Sequence, residues 1–171
     1  MPNCDAGLVS VLMSVYNGAP TLEKAAASVL AQTYRDLELI LCDDASTDDT
    51  WRIMQRIAAQ DARVTVFQNK TNLGLGASLN ECLARAQGAY IARQDADDVS
   101  DSDRIERTMD FLLSSGAPYA ACGVRVFDDT GIWSTRQFPQ KITKHIIAQK
   151  NPFFHPTMLF RRAVLESVNG Y

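Results

Sequence analysis

The chain has 171 residues, 46% hydrophobic and 22% charged, with 17 basic against 20 acidic side chains and a formal charge of -3. Those fractions suit a globular domain that buries roughly 70% of its unfolded surface, and they exclude extended disorder, collagen and coiled coil. No global basic field attracts nucleic acid, no apolar run approaches the ~20 residues of a membrane span, and Met1–Asp5 lacks the basic and apolar regions of a signal peptide, so the cytoplasm is the default location.

Leu8–Val15 (LVSVLMSV) is a β-branched run closed by Tyr16-Asn17-Gly18 and reads as a buried strand. Pro20 opens a helix whose apolar face is Leu22, Ala25, Ala26, Val29 and Leu30. Leu37–Cys42 is the next strand. Ser46 with Asp49 three residues on matches a capping-box start for a helix carrying Ile53, Met54 and Ile57. Val64–Phe67 is a third strand. Asn72-Leu73-Gly74 leads into a helix with Leu75, Leu79, Leu83 and Ala86 on one face, and Ala89–Ala92 is a fourth strand. A helix from about Asp103 to Leu113 ends near Gly116. Beyond residue 118, Tyr119–Phe127 and Ile132–Thr135 read as strands joined by a turn at Asp128–Gly131, Lys141–Gln149 as a short helix, and Met158–Phe160 as a strand. Alternating strands and helices make this an α/β chain with a mostly parallel sheet, and apolar rather than alternating strands suit a sheet covered on both faces. No linker, repeat or low-complexity tract divides it, so residues 1–171 form one domain with a less regular C-terminal third. Cys4, Cys42, Cys82 and Cys122 show no close pair, which argues for small apolar side chains rather than a zinc site.

The polar residues that follow the strands carry the chemistry. Ligands of open α/β sheets bind beyond the carboxyl ends of the strands. Ser14, Tyr16 and Asn17 follow the first strand, Asp43-Asp44-Ala45-Ser46 the second, and Gln94-Asp95-Ala96-Asp97-Asp98 the fourth. Five carboxylates on one rim repel one another, and a divalent cation relieves that conflict. Mg²⁺ or Mn²⁺ takes one or two carboxylates and completes its shell with water and phosphate oxygens, so the pattern reads as a site for a metal-bridged diphosphate. The P-loop and dinucleotide signatures are absent: Leu79 stands where a third glycine would follow Gly74 and Gly76. The bland alternative makes Asp43, Asp44 and Ser46 helix caps, and it is the preferred reading for Asp101 and Asp103. Tyr16 is either a stacking surface for a base or a core ring. His155, among Phe153, Phe154 and Pro156, reads as a satisfied core histidine, with metal or phosphate contact as the alternative. Arg161-Arg162 reads as a solvated pair or a phosphate contact.

Val9–Asn17 (VSVLMSVYN), Ser28–Tyr34 (SVLAQTY), Leu37–Asp49 (LELILCDDASTDD), Asn72–Leu75 (NLGL) and Gln87–Asp98 (QGAYIARQDADD) resemble, in order, the family 2 glycosyltransferases of the GT-A fold. Asn151–Arg162 (NPFFHPTMLFRR) and Asn169–Tyr171 resemble one bacterial subgroup of that family. The resemblance implies a GT-A, Rossmann-like three-layer α/β/α sandwich, truncated at its C-terminal part. Residues 8–115 would be the donor-binding core and 116–171 the irregular start of the acceptor side. It implies inverting transfer from a nucleotide diphosphate sugar, with a uridine diphosphate sugar favoured, to a glycan, lipid-linked or other hydroxyl acceptor in polysaccharide biosynthesis. Ser14, Tyr16 and Asn17 would line the base pocket, Asp44 would read the uracil edge beside Asp43, and Asp95-Ala96-Asp97 would be the Asp-x-Asp motif. Asp95 would serve ribose and metal, Asp97 chiefly Mn²⁺ or Mg²⁺, with Ala96, Asp98 and His155 as further candidates. Leu79 stands where many members carry an arginine before Asn80. Members of the subgroup continue past Gly-Tyr into an acidic segment that supplies the general base, which is therefore expected beyond Tyr171. Without that base, typically worth ~10²–10⁴-fold, the chain is expected to bind donor and transfer sugar poorly. Regions beyond the chain would mediate peripheral contact with the inner face of the membrane, and apolar surface left uncovered would favour homo-oligomers. The contrasting class is a non-catalytic nucleotide- or metal-binding module. A phosphoacceptor receiver is disfavoured because its acid pair follows the first strand, and a nucleotidyltransferase because Tyr16–Ala19 is not glycine-rich.

Overall fold

The structure is a computed structural model and describes residues 7–137 and 153–171. The expected helix over Lys141–Gln149 lies outside the described residues. Elements run β1 (Val9–Val15), α1 (Leu22–Leu30), β2 (Leu37–Asp43), α2 (Thr50–Gln60), β3 (Val64–Gln68), α3 (Leu75–Arg85), β4 (Tyr90–Arg93) and α4 (Arg104–Ser115). Then follow β5 (Tyr119–Ala120), β6 (Val124–Asp128), β7 (Gly131–Arg136), a 3₁₀ turn over His155–Thr157, β8 (Leu159–Arg161) and α5 (Arg162–Ser167).

One six-stranded sheet has the order β3-β2-β1-β4-β8-β5. The four strands from β3 to β4 are parallel, and β8 runs antiparallel between β4 and β5. Central strands covered on both faces have no solvent side to mark with polar residues, so Val9, Val11, Leu12 and Met13 are all fully buried. Val9, Val11, Met13 and Val15 face α1, α2 and α4, packing on Leu22, Val29, Met54, Ile105 and Met109. Leu12, Ile40 and Ile91 face the opposite layer, with Leu79 and Cys82 of α3 and Leu165 of α5. These are the three layers of the expected α/β/α sandwich. Cys42 and Cys82 are free and buried in that second layer. No helix among the described residues is long and apolar enough to cross a membrane.

Close approach fixes the start of β4. A Cβ on Gly88 would lie 2.5 Å from the Leu8 carbonyl oxygen. That gap lets the Gly88 amide donate to Ser10 Oγ (2.8 Å), which in turn donates to Glu38 Oε1 (2.6 Å). Gly116 ends α4 in the left-handed conformation (φ 66°), which glycine adopts at little cost.

Three local expectations change. Ser46 does not cap α2, because the loop needs its hydroxyl elsewhere: Ser46 Oγ accepts from the Asn17 amide (2.8 Å), and the Thr50 amide instead donates to Asp48 Oδ1 (3.0 Å). The run Tyr119–Phe127 divides into β5 in the main sheet and β6 in a separate hairpin with β7. The break passes through Gly123, where a Cβ would stand 2.8 Å from the Arg136 carbonyl. The fourth strand shifts by one residue and takes in Arg93, whose side chain is 1% exposed.

Candidate functional site

Parallel register brings the predicted loops to one edge. Val15 stands opposite Asp43 and Leu12 opposite Arg93, so the segments after β1, β2 and β4 leave the sheet side by side. The first two loops are stapled together. Beyond the bond to Ser46, Gly18 N donates to Thr50 Oγ1 (2.9 Å), Ala19 N to Asp48 Oδ2 (3.1 Å) and Thr47 N to Asn17 Oδ1 (2.8 Å). Asn17 (φ 52°) and Ala45 (φ 60°) both hold left-handed backbone here. Asn tolerates this, whereas Ala stores strain of order 1–2 kcal/mol, and such strain clusters at functional loops. Ser14 is half-buried beneath the rim. Tyr16 is 54% exposed, so it is a ring presented at the rim rather than a core residue.

Asp43 and Asp44 are buried and turned inward. Asp43 accepts from the Ser46 amide (3.0 Å) and from Gln68 Nε2 (2.6 Å). Asp44 Oδ1 accepts from the Leu73 amide (2.9 Å) and Asn69 Nδ2 (2.8 Å), and Oδ2 from the Gly74 amide (2.9 Å) at the entrance to α3. Burial pushes the Asp44 carboxyl up, but these bonds, with one from Ser78, outweigh it and hold its pKa below the ordinary 3.8. Four donors thus engage the carboxylate, which fills its roughly four acceptor positions.

The third segment gathers the acids. Carboxylate oxygens of Asp95, Asp97 and Asp98 all lie within 4.8 Å of one another. Gln94, 2% exposed, braces the loop: its Nε2 donates to the carbonyls of Asp95 (3.2 Å) and Asp98 (3.0 Å), and its Oε1 accepts from Ser100 Oγ (2.6 Å). Desolvation raises the pKa of Asp98, and the charges of Asp95 and Asp97 add to the rise. Hard oxygen donors gathered this closely are the kind of which Mg²⁺ or Mn²⁺ takes one or two. Ala96 supplies backbone only. Asp101 and Asp103 stand apart from the cluster. Asp101 pairs with Arg125, and Asp103 is the N-cap residue of α4 with no side-chain capping bond among the described residues.

Beneath the loop lies a residue that sequence reasoning missed. Arg93 NH2 pairs with Asp95 Oδ1, while Arg93 Nε and NH1 are buried with no partner among the described residues. The signal was available: Arg93 shares the parity of Ile91 on a strand expected to be buried on both faces. Asn69 was also missed, because its bonds to Asp44 and Ser78 cross between elements. His155 is half-buried. Its ring meets that of Tyr171 edge-on at 5.3 Å between centroids. Burial lowers its pKa below 6.5, the positive charge of Arg93 lowers it further, and Asp95 opposes both. The Tyr171 amide donates to Asn80 Oδ1 (2.8 Å), and Asn80 Nδ2 donates back to the Tyr171 carbonyl (3.3 Å). Leu79 is fully buried in the core. Neither Arg161 nor Arg162 is merely solvated. Arg161 donates to the carbonyls of Ala117 (3.1 Å) and Leu112 (3.3 Å), and Arg162 to those of Gly88 (3.0 Å) and Ala86. Both thereby close the carbonyl ends of helices, α4 and α3 respectively.

The profile of "Glycosyl transferase family 2" matches residues 10–168. Bacillus subtilis EpsE is 44% identical over 165 residues, covering 95% of this chain and 59% of EpsE. An Escherichia coli protein, UDP-Glc:alpha-D-GlcNAc-diphosphoundecaprenol beta-1,3-glucosyltransferase WfaP, is 34% identical over 131 residues, 75% of this chain and 51% of WfaP. The chain thus spans little more than half the length of these relatives. Among solved structures, the mannosyltransferase PcManGT of Pyrobaculum calidifontis, in complex with GDP-Man and Mn²⁺, superposes with a TM-score of 0.74 at 22% identity. That superposition covers 95% of this chain and 47% of PcManGT.

Proposed function

The chain belongs to glycosyl transferase family 2, and from that premise we propose that it binds a nucleotide diphosphate sugar and a divalent cation at the rim formed by the loops after β1, β2 and β4. The observation that carries this reading is the cluster of Asp95, Asp97 and Asp98 within 4.8 Å on the same edge as exposed Tyr16 and buried Asp44. Tyr16 offers a face for stacking a base. The relative WfaP, named for a UDP-sugar donor, favours a uridine nucleotide. Ser14 and Asn17 flank Tyr16 at the same rim, with buried Asp43 next to Asp44. Asp95 serves the nucleotide, Asp97 is the chief metal ligand, and Asp98 completes the acidic set. Bound there, the cation would neutralise charge developing on the diphosphate leaving group.

The reaction is an inverting transfer of the sugar to a glycan or lipid-linked hydroxyl. A differential scanning panel of UDP-, GDP- and dTDP-sugars with Mn²⁺ tests the reading. A rise in melting temperature confined to one nucleotide class, and requiring the metal, is expected. No rise with any member would refute it.

A further inference from the structure

The acidic loop is not uniformly available to a cation. Arg93 is a buried charge on the sheet, 1% exposed, and it reaches Asp95 Oδ1 from below. Its backbone is clamped at both ends: the Arg93 amide donates to the Met158 carbonyl (3.0 Å), and the Arg93 carbonyl accepts from Arg104 NH1 (3.2 Å). Arg104 NH1 also holds the Pro156 carbonyl (3.2 Å), tying β4 to the turn that carries His155. A guanidinium so placed cannot swing out to water, so its bond to Asp95 is built into the fold. Asp97 and Asp98, by contrast, are exposed and reach toward solvent.

We propose that Arg93 is a positioning residue that holds Asp95 out of the cation's shell and so makes cation binding depend on the nucleotide diphosphate. Two carboxylates, Asp97 and Asp98, would leave most of the six-oxygen shell of Mg²⁺ or Mn²⁺ to water, and phosphate oxygens replacing part of that water would add the missing affinity. The fixed positive charge of Arg93 also opposes a lone cation and is offset once the diphosphate arrives. Both effects act in the same direction. The guanidinium nitrogens without partners among the described residues add a reason for Arg93 to be here: a buried charge with so few bonds is costly for folding and is better explained by electrostatics at the site.

The inference rests on the metal–diphosphate reading above, and Mn²⁺ titration followed by electron paramagnetic resonance, without and with UDP, separates the two. The 171-residue chain is compared with Arg93→Met and Arg93→Lys. The unsubstituted chain is expected to bind Mn²⁺ alone weakly and at least tenfold more tightly with UDP. Arg93→Met is expected to bind Mn²⁺ alone about tenfold more tightly, the effect of one neighbouring unit charge on a divalent cation under near-aqueous screening, and to lose most of the enhancement by UDP. Arg93→Lys keeps the charge and is expected to keep the dependence on UDP. Absence of UDP-dependent Mn²⁺ binding in the unsubstituted chain would overturn the metal–diphosphate reading together with this inference. Such binding in the unsubstituted chain, left unchanged in Arg93→Met or abolished in Arg93→Lys, would overturn the inference alone.

Discussion

Removing either partner of the Arg93–Asp95 pair should have very different consequences for stability. Arg93 is 1% exposed and Asp95 33%. Asp95→Ala strands a buried guanidinium that already has two nitrogens without partners among the described residues. Breaking a buried pair in this way costs about 3–5 kcal/mol, and the partial exposure of Asp95 argues for the lower end. At roughly 2–4 °C per kcal/mol for a chain of this size, a loss of ~3 kcal/mol is a fall of about 6–12 °C in melting temperature. Arg93→Met instead removes the buried charge, fills its stem volume and leaves a carboxylate that water can reach, so its cost should stay within about 1 kcal/mol. Urea unfolding in the presence of a chelator, followed by circular dichroism, measures both. The double variant should be more stable than Asp95→Ala alone, because the stranded charge is gone. If Arg93→Met costs as much as Asp95→Ala, the charge is not the reason for the pair and the argument fails.

Other outcomes follow from the same contacts. Gly88→Ala drives a Cβ to within 2.5 Å of the Leu8 carbonyl, a backbone clash expected to cost about 1–3 kcal/mol in urea unfolding. Asp44→Asn should cost about 2–3 kcal/mol near neutral pH, because the amide cannot match a carboxylate as acceptor for the Leu73, Gly74 and Asn69 donors. Since the folded pKa of Asp44 lies below 3.8, its stabilisation is complete above that value and disappears as the pH falls through the folded pKa, so the two chains should converge in acid. His155 is held neutral with a pKa below 6.5. The chain should therefore lose stability as the pH drops from 6.5 toward that lower value, and His155→Gln should flatten the slope in that window.

Local pattern made most of the layered fold legible. The β-branched run at Val9–Val15, the helical spacing of Leu22, Ala25, Ala26 and Val29, and the punctuation at Gly18, Gly74 and Gly116 each reflect a preference set within a few residues. Parallel pairing then carried the three polar loops, two of them acidic, to one edge without further information. What stayed hidden depends on contacts between distant segments. Ser46 looks like a helix cap in sequence, yet Asn17, 29 residues away, claims its hydroxyl. The inward turn of Asp44 depends on amides 29 and 30 residues downstream. The run from Tyr119 to Phe127 reads as one strand until Arg136 approaches Gly123. Arg161 and Arg162 look solvated because nothing nearby in sequence reveals the helix ends they close. Arg93 is different in kind: it directly follows the expected strand Ala89–Ala92, and one further residue of strand places it inside, where its charge is out of character.

The central claim, a cation and a nucleotide diphosphate held together by the loop after β4, is tested most directly by calorimetric titration of UDP with Mn²⁺ into the 171-residue chain and into Asp97→Asn. Saturable, Mn²⁺-dependent binding to the unsubstituted chain, lost in a fully folded Asp97→Asn chain, is the expected result. UDP binding that is indifferent to Mn²⁺, or undiminished in Asp97→Asn, would contradict it.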